Sequence, residues 1–210
     1  MTSDITTPST NPSNPSPGTF TSPADGFLLS ETDKQTLLDI ARESIHSAVL
    51  GGKKFKVTPD EYSDMLKATF GAFVTLHNKG KLRGCLGRMT GDLPLYKMIQ
   101  EMAISASLYD YRFTPIGPDE LSKIEIEISV LSPMTRIDDI TEIELGKHGI
   151  YIQKGVDSGV FLPQVATETG WSREDFLGHC SRDKAGLGWT GWKGADVYIF
   201  TATIFQHCQK

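Results

Sequence analysis

The chain has 210 residues, 39% of them hydrophobic and 22% charged, with a formal net charge of −5 and a pI near 5.5. That length suffices for one domain with a real core, or for two small lobes sharing a cleft. The acidic balance supplies no basic stripe for nucleic acid, and no apolar run is long enough to span a membrane. The N-terminus lacks the charged region and apolar core of a secretory signal, so the expected compartment is the cytoplasm. Three cysteines, an odd number, fit reduced thiols better than a disulfide framework.

Residues 1 to about 23 are rich in Ser, Thr, Asn and Pro. Such a run buries too little apolar surface to offset its ordering entropy, and it reads as a disordered tail ahead of a single domain over 24–210. Ser30-Glu31-Thr32-Asp33 offers capping side chains. Leu37, Leu38, Ala41, Ile45, Ala48 and Val49 follow at helical spacing until Gly51-Gly52. A short helical turn is expected within 61–67. Residues 71–76 read as a strand, 77–81 as a turn, and Leu82 begins the returning strand, which puts Cys85 at the end of a hairpin. A helix is expected over about 93–109, with Asp92 as its N-cap.

Residues 111–118 read as an extended linker. Ile124, Ile126, Ile128 and Val130 then alternate with Glu125, Glu127 and Ser129, the period of a half-buried strand whose glutamates face solvent. The stretch 133–146 is irregular and acidic. A hairpin follows over 148–153 and 158–162, Ser172 caps a helix running to about Asp183, and 197–205 forms a last strand. Short turns between strands favour a mixed or mostly antiparallel sheet flanked by helices, an α/β (α+β) class.

The chemistry concentrates in Leu82-Arg83-Gly84-Cys85-Leu86-Gly87-Arg88. Glycines let backbone amides turn toward a ligand, and neighbouring cations favour a thiolate over a thiol. The competing reading is a tight bend whose cysteine fills space. The loop after Cys85 is expected to run into a helix N-terminus, where free amides favour an anion, with Arg83, Gly84, Gly87 and Arg88 as anion-binding positions. It is not a Walker loop, since no Gly-Lys-Ser/Thr follows, and its glycines lack the dinucleotide spacing.

A nucleophilic cysteine needs a base. Of His46, His77, His148, His179 and His207, the candidate is His148, flanked by Gly146 and Gly149 where a strand begins. An ordinary hydrogen-bonded turn histidine is its alternative role. Arg112, in Asp110-Tyr111-Arg112-Phe113, either caps helix carbonyls or reaches a substrate carboxylate. His179-Cys180 and His207-Cys208 make poor zinc ligands, because adjacent side chains diverge and no Cys-x-x-Cys occurs. No metal and no cofactor is expected. Trp171 suits a core, whereas Trp189 and Trp192 suit a surface pocket.

Read together, these motifs resemble the AMMECR domain family. The likeness is carried by Leu82-Arg83-Gly84-Cys85-Leu86-Gly87, Asp110-x-Arg112-Phe113, Gly146-Lys147-His148-Gly149-Ile150, Leu162-Pro163-Gln164-Val165-Ala166, Gly170-Trp171 and Lys184-Ala185-Gly186. It spans about residues 29–206 and departs from the usual signature at Leu86, where the family has Ile. The Leu-Pro-Gln-Val-Ala form is similar to the prokaryotic branch, the AmmeMemoRadiSam system protein A, which accompanies a Memo-like protein and a radical SAM enzyme. The resemblance implies a larger and a smaller lobe with the Arg-Gly-Cys motif facing the cleft between them. It supplies no reaction. Two functions are therefore expected. One is thiol-dependent chemistry, nucleophilic or covalent-carrier, at Cys85 on a small anionic substrate with those partners. The other is a non-catalytic adaptor that docks partner proteins through the Arg-Gly-Cys cleft.

Overall fold

A computed structural model describes the protein at residues 28–52 and 55–206. The expected tail over 1–23, together with His207 and Cys208, lies outside the described residues. The first helix, α1 (Glu31–Val49), is fixed by a reciprocal cap. The Ser30 hydroxyl accepts the Asp33 N–H, and the Asp33 carboxylate accepts the Ser30 N–H. After the short α2 (Asp64–Lys67), strands β1 (Ala72–Asn78) and β2 (Lys81–Arg88) form a hairpin, followed by α3 (Leu95–Leu108). The chain then lays down β3 (Ile124–Leu131), β4 (Thr135–Ile137), β5 (Gly149–Lys154) and β6 (Asp157–Phe161). Helices α4 (Pro163–Thr169) and α5 (Arg173–His179) lead to β7 (Asp196–Phe200) and β8 (Ala202–Gln206).

These strands make two four-stranded antiparallel sheets, ordered β2-β1-β3-β8 and β4-β7-β5-β6. The α/β class and the antiparallel pairing agree with the sequence. Two expectations are corrected. The final strand is two strands, broken at Thr201, and the stretch read as irregular holds β4. Both corrections have one cause. The β3/β8 ladder stops where Ser132 donates its N–H to Thr201 O, and Thr201 returns its own N–H to the Ser132 hydroxyl, each at 2.9 Å. Pro133 follows and has no N–H to give. The same two chain segments then pair again as β4 and β7, so one interrupted ribbon runs through both sheets.

Each sheet has its own core. In the first, Leu37, Ile45, Met98 and Ile99 from α1 and α3 pack against Val74, Leu76, Ile126 and Ile128, all essentially inaccessible to solvent. In the second, Phe176 and Leu177 of α5 cover Ile150, Ile152 and Val197. Burying a side chain of this size contributes roughly 1.5–3 kcal/mol. Because strand side chains alternate, the helix-packed face of the first sheet takes Val74 and Leu76, and the opposite face takes Phe73, Thr75 and His77. Among the described residues no helix is long and apolar enough to cross a membrane.

Gly84 sets how closely β2 approaches α3. A Cβ at this position would overlap the carbonyl oxygen of Ala106, near the helix C-terminus. Gly84→Ala is therefore expected to destabilise the protein by about 1–3 kcal/mol in urea unfolding, the usual cost of overpacking against unyielding backbone. An unchanged midpoint would contradict this packing.

Candidate functional site

One extra residue decides where Cys85 points. From the turn, Asn78 pairs with Lys81 and His77 with Leu82, but Leu76 then pairs with Gly84 and Thr75 with Cys85. Arg83 is the residue skipped, a β-bulge in β2. An unbroken ladder would set Cys85 opposite Val74, on the buried face. With the bulge, Cys85 lies opposite Thr75 on the outer face, half-buried, well inside a strand that continues to Arg88 rather than at its end.

Because β2 is an edge strand, it leaves backbone groups without a neighbour on one side. At Cys85 both are taken by side chains. Its N–H donates to Asp110 Oδ2 at 2.8 Å, and its carbonyl accepts from Arg112 Nη2 at 2.9 Å. With both groups directed outward, Cys85 and Thr75 form a non-hydrogen-bonded pair, the kind that brings side chains closest. The Thr75 hydroxyl accordingly donates to Cys85 Sγ at 3.3 Å.

Asp110 and Arg112 hold one another. Arg112 Nε and Nη2 donate to Asp110 Oδ1 and Oδ2 at 2.9 and 2.7 Å, and the Arg112 N–H adds a bond at 3.2 Å. The Asp110 side chain is 2% exposed and that of Arg112 is 45% exposed. The Arg112 guanidinium, helped by the Cys85 and Arg112 amides, holds the Asp110 carboxyl well below the usual carboxylate range despite its burial. Reciprocally, the bond to Asp110 raises Arg112, and the Cys85 side chain lies within electrostatic reach of it. Arg112 Nη1 takes no part in these bonds, and on this 45% exposed side chain it remains available as a donor.

The other expected site residues have different surroundings. Arg83 forms a bidentate pair with Glu120, both bonds at 2.9 Å, and donates to the carbonyls of Thr114 and Pro115. Its side chain is 16% exposed. The guanidinium therefore staples the bulge to the turn at Pro118–Lys123. Arg88 pairs with Asp92 and lies 3.6 Å from Glu101. Asp92 is thus an ion-pair partner rather than the α3 cap. The α3 cap is Pro94, and the Leu95 N–H goes to Ala68 O. The chain after β2 does run into the α3 N-terminus as expected, but the helix end beside Gly84 is the C-terminal one. Gly87 lies under the Phe73 ring.

His148 precedes β5, in the other sheet. Its Nδ1 accepts the Glu144 N–H and lies close to Glu142 O, each at 3.2 Å, and its backbone N–H donates to Glu144 O at 2.8 Å. Both partners belong to its own loop. His179 stacks on Trp171 with ring centroids 3.9 Å apart and lies edge-on to Trp189. The adjacent Cys180 enters the second core, where burial pushes its thiol up to about 12. Among the described residues no group of three or more His, Cys, Asp or Glu is placed to hold a metal. A cavity of about 500 Å³ opens between α1 and the turn at Pro118–Lys123, lined by Arg42, His46, Leu121 and Ile124, and no residue around Cys85 lines it.

The sequence reading missed Asp110 as the anchor of Cys85 and Thr75 as its hydroxyl partner. A signal for Asp110 existed. An aspartate two residues before an arginine, just past a helix end, suits a bidentate turn.

These features define an antiparallel α/β protein with a half-buried cysteine clamped on a sheet edge. The chain belongs to the AMMECR1 family, which it matches over residues 38–205. It is 38% identical over 189 residues to a Methanosarcina acetivorans protein, covering 85% of this chain and 94% of that one. It is 40% identical over 186 residues to one from Methanothermobacter thermautotrophicus, covering 85% and 96%. The crystal structure of an uncharacterised Pyrococcus horikoshii protein has the same fold, with a TM-score of 0.73 and 34% identity, covering 82% of this chain and 90% of that one.

Asp110 makes stability depend on acid. A carboxyl held below its unfolded value contributes fully above about pH 4, and that contribution is lost as pH falls from there toward the folded value. The wild type should lose stability on acidification below about pH 4 more steeply than Asp110→Asn. At neutral pH the variant should be about 1–3 kcal/mol less stable in denaturant titrations. Parallel acid limbs would contradict the assignment.

Proposed function

We propose that this protein performs thiol-dependent chemistry at Cys85, as a nucleophile or covalent carrier, on a small anionic substrate. The observation that carries this reading is the asymmetry at Cys85. Both of its backbone groups are locked by the Asp110–Arg112 pair, while the residue is only half-buried and its sulfur accepts a hydroxyl bond from Thr75. Fixing a reactive atom beforehand is what covalent catalysis gains from a scaffold. Arg112 Nη1 is the donor suited to a substrate carboxylate or phosphate beside the sulfur. Arg83, Gly84, Gly87 and Arg88 support this site through the bulge, the close strand–helix approach and the surrounding ion pairs. The partnership with Memo-like and radical SAM proteins rests on the family resemblance.

A second reading has its own observation. Tyr109 and Tyr111 are 71% and 93% exposed, flanking the Arg112 turn. Tyrosine and arginine are enriched at binding hot spots, so this surface suits an adaptor that captures a partner protein.

Site-resolved alkylation read by mass spectrometry separates the two. On the thiol reading, Cys85 in the folded protein should react with iodoacetamide at pH 7 at least about tenfold faster than the same cysteine in a synthetic peptide of residues 81–88, with Cys180 protected. Equal rates would remove the basis for the nucleophile and leave the adaptor.

A further inference from the structure

The outer face of the first sheet carries more than a cysteine. On it, the register sets Cys85 opposite Thr75, Thr75 opposite Glu127, and His77 opposite Glu125. The bulge lies in β2, so the alternation of β1 is unbroken, and His77 and Thr75 share a face. The shared face of Thr75 and Cys85 is fixed by their direct contact. The two strands of one hairpin and a third from later in the chain therefore place a thiol, an imidazole and carboxylates on one sheet face.

The register makes these groups neighbours on one sheet face. His77 is the diagonal neighbour of Cys85, and diagonal pairs lie roughly 7–8 Å apart, within reach of an imidazole extended toward a sulfur. Glu125 sits directly across from His77, where Cβ atoms are about 4.5–5.5 Å apart. The His77 side chain is half-buried and makes no hydrogen bond within the described protein. Glu125 is exposed and Glu127 half-buried, and neither forms an ion pair among the described residues. The arginines near Cys85 already pair with Glu120, Asp110 and Asp92. Their charge is largely matched, which leaves the thiol in need of a base.

Resting on the thiol reading, we propose that His77 is the base for Cys85, that Glu125 orients it, and that the substrate is an anionic carbonyl compound. The Cys85 S–H proton passes to a His77 ring nitrogen. The thiolate attacks the carbonyl carbon, a C–S bond forms, and the C=O π pair moves to oxygen. That oxygen then takes the proton back from the imidazolium, giving a thiohemiacetal or tetrahedral adduct with no change of oxidation state. Arg112 Nη1 pairs with the substrate's anionic group. Besides Glu125, the charged residues nearest His77 in chain and register are Lys79 and Lys81 at the β1–β2 turn and Glu127 on β3, with the Arg83–Glu120 pair joined to neighbouring Asn78; none of them is an imidazole.

The test is the pH profile of Cys85 alkylation by iodoacetamide in the full-length protein, from pH 5 to 9. It compares the wild type with His77→Gln, Glu125→Gln and His148→Gln, using continued protection of Cys180 as the check that each variant is folded. The expected result is a roughly tenfold slower Cys85 reaction at pH 7 in His77→Gln, with the profile displaced to higher pH. Glu125→Gln should shift it the same way by less. A wild-type rate above that of the peptide, with His77→Gln superimposed on it, overturns the base assignment while the thiol reading stands. A profile that moves only in His148→Gln assigns the base to His148 instead. A wild-type rate equal to the peptide's overturns both.

Discussion

The bulge at Arg83 is the constraint on which the rest of the site depends. A strand's side-chain period is two, so one inserted residue transfers every later side chain to the other face. Without it Cys85 would join Val74 and Leu76 beneath α1 and α3. The bulge is held by a bidentate Arg83–Glu120 pair and by two carbonyls of the segment after Phe113, contacts that span more than thirty residues of chain. Gly84 lets β2 close on the C-terminal end of α3, and Asp110 and Arg112, just past that end, then reach the Cys85 backbone. Side-chain face, strand-edge satisfaction and thiol environment follow from one irregularity.

This arrangement changes the roles of the arginines. In a linear reading, Arg83 and Arg88 flank a cysteine and offer it positive charge. In the fold each is matched by a carboxylate, while Arg112 is bound to Asp110 and to the Cys85 carbonyl and leaves Nη1 outside those bonds. Edge strands invite pairing with other chains, and capping the edge at Cys85 with an Asp–Arg pair also blocks that pairing at its centre. The same two side chains thus fix the thiol and protect the sheet.

Much of the fold was legible because it is local or periodic. The Ser30 cap, the alternation over Ile124–Leu131 and the hairpin around Gly155 follow from capping chemistry, period-two patterning and turn residues. The motif around Cys85 was legible as a place. Its geometry was not, because nothing in Leu82-Arg83-Gly84-Cys85 announces a bulge; that choice is made by Glu120 and by the α3 terminus, both remote in sequence. For the same reason His148 drew notice through its flanking glycines, while His77, in an ordinary strand, gained neighbours only through the pairing of β1 with β3. The break at Ser132 and Thr201, which divides one expected strand between two sheets, likewise depends on a distant partner.

The most direct test of this account is the register itself. Non-hydrogen-bonded antiparallel pairs bring their Cα atoms to about 4.5 Å and their Hα atoms into contact. In a nuclear Overhauser spectrum of the labelled protein, the account predicts a strong Hα–Hα cross-peak between Thr75 and Cys85. A strong Hα–Hα cross-peak between Thr75 and Gly84 instead would mean an unbroken hairpin with Cys85 opposite Val74 in the core, and the site described above would not exist.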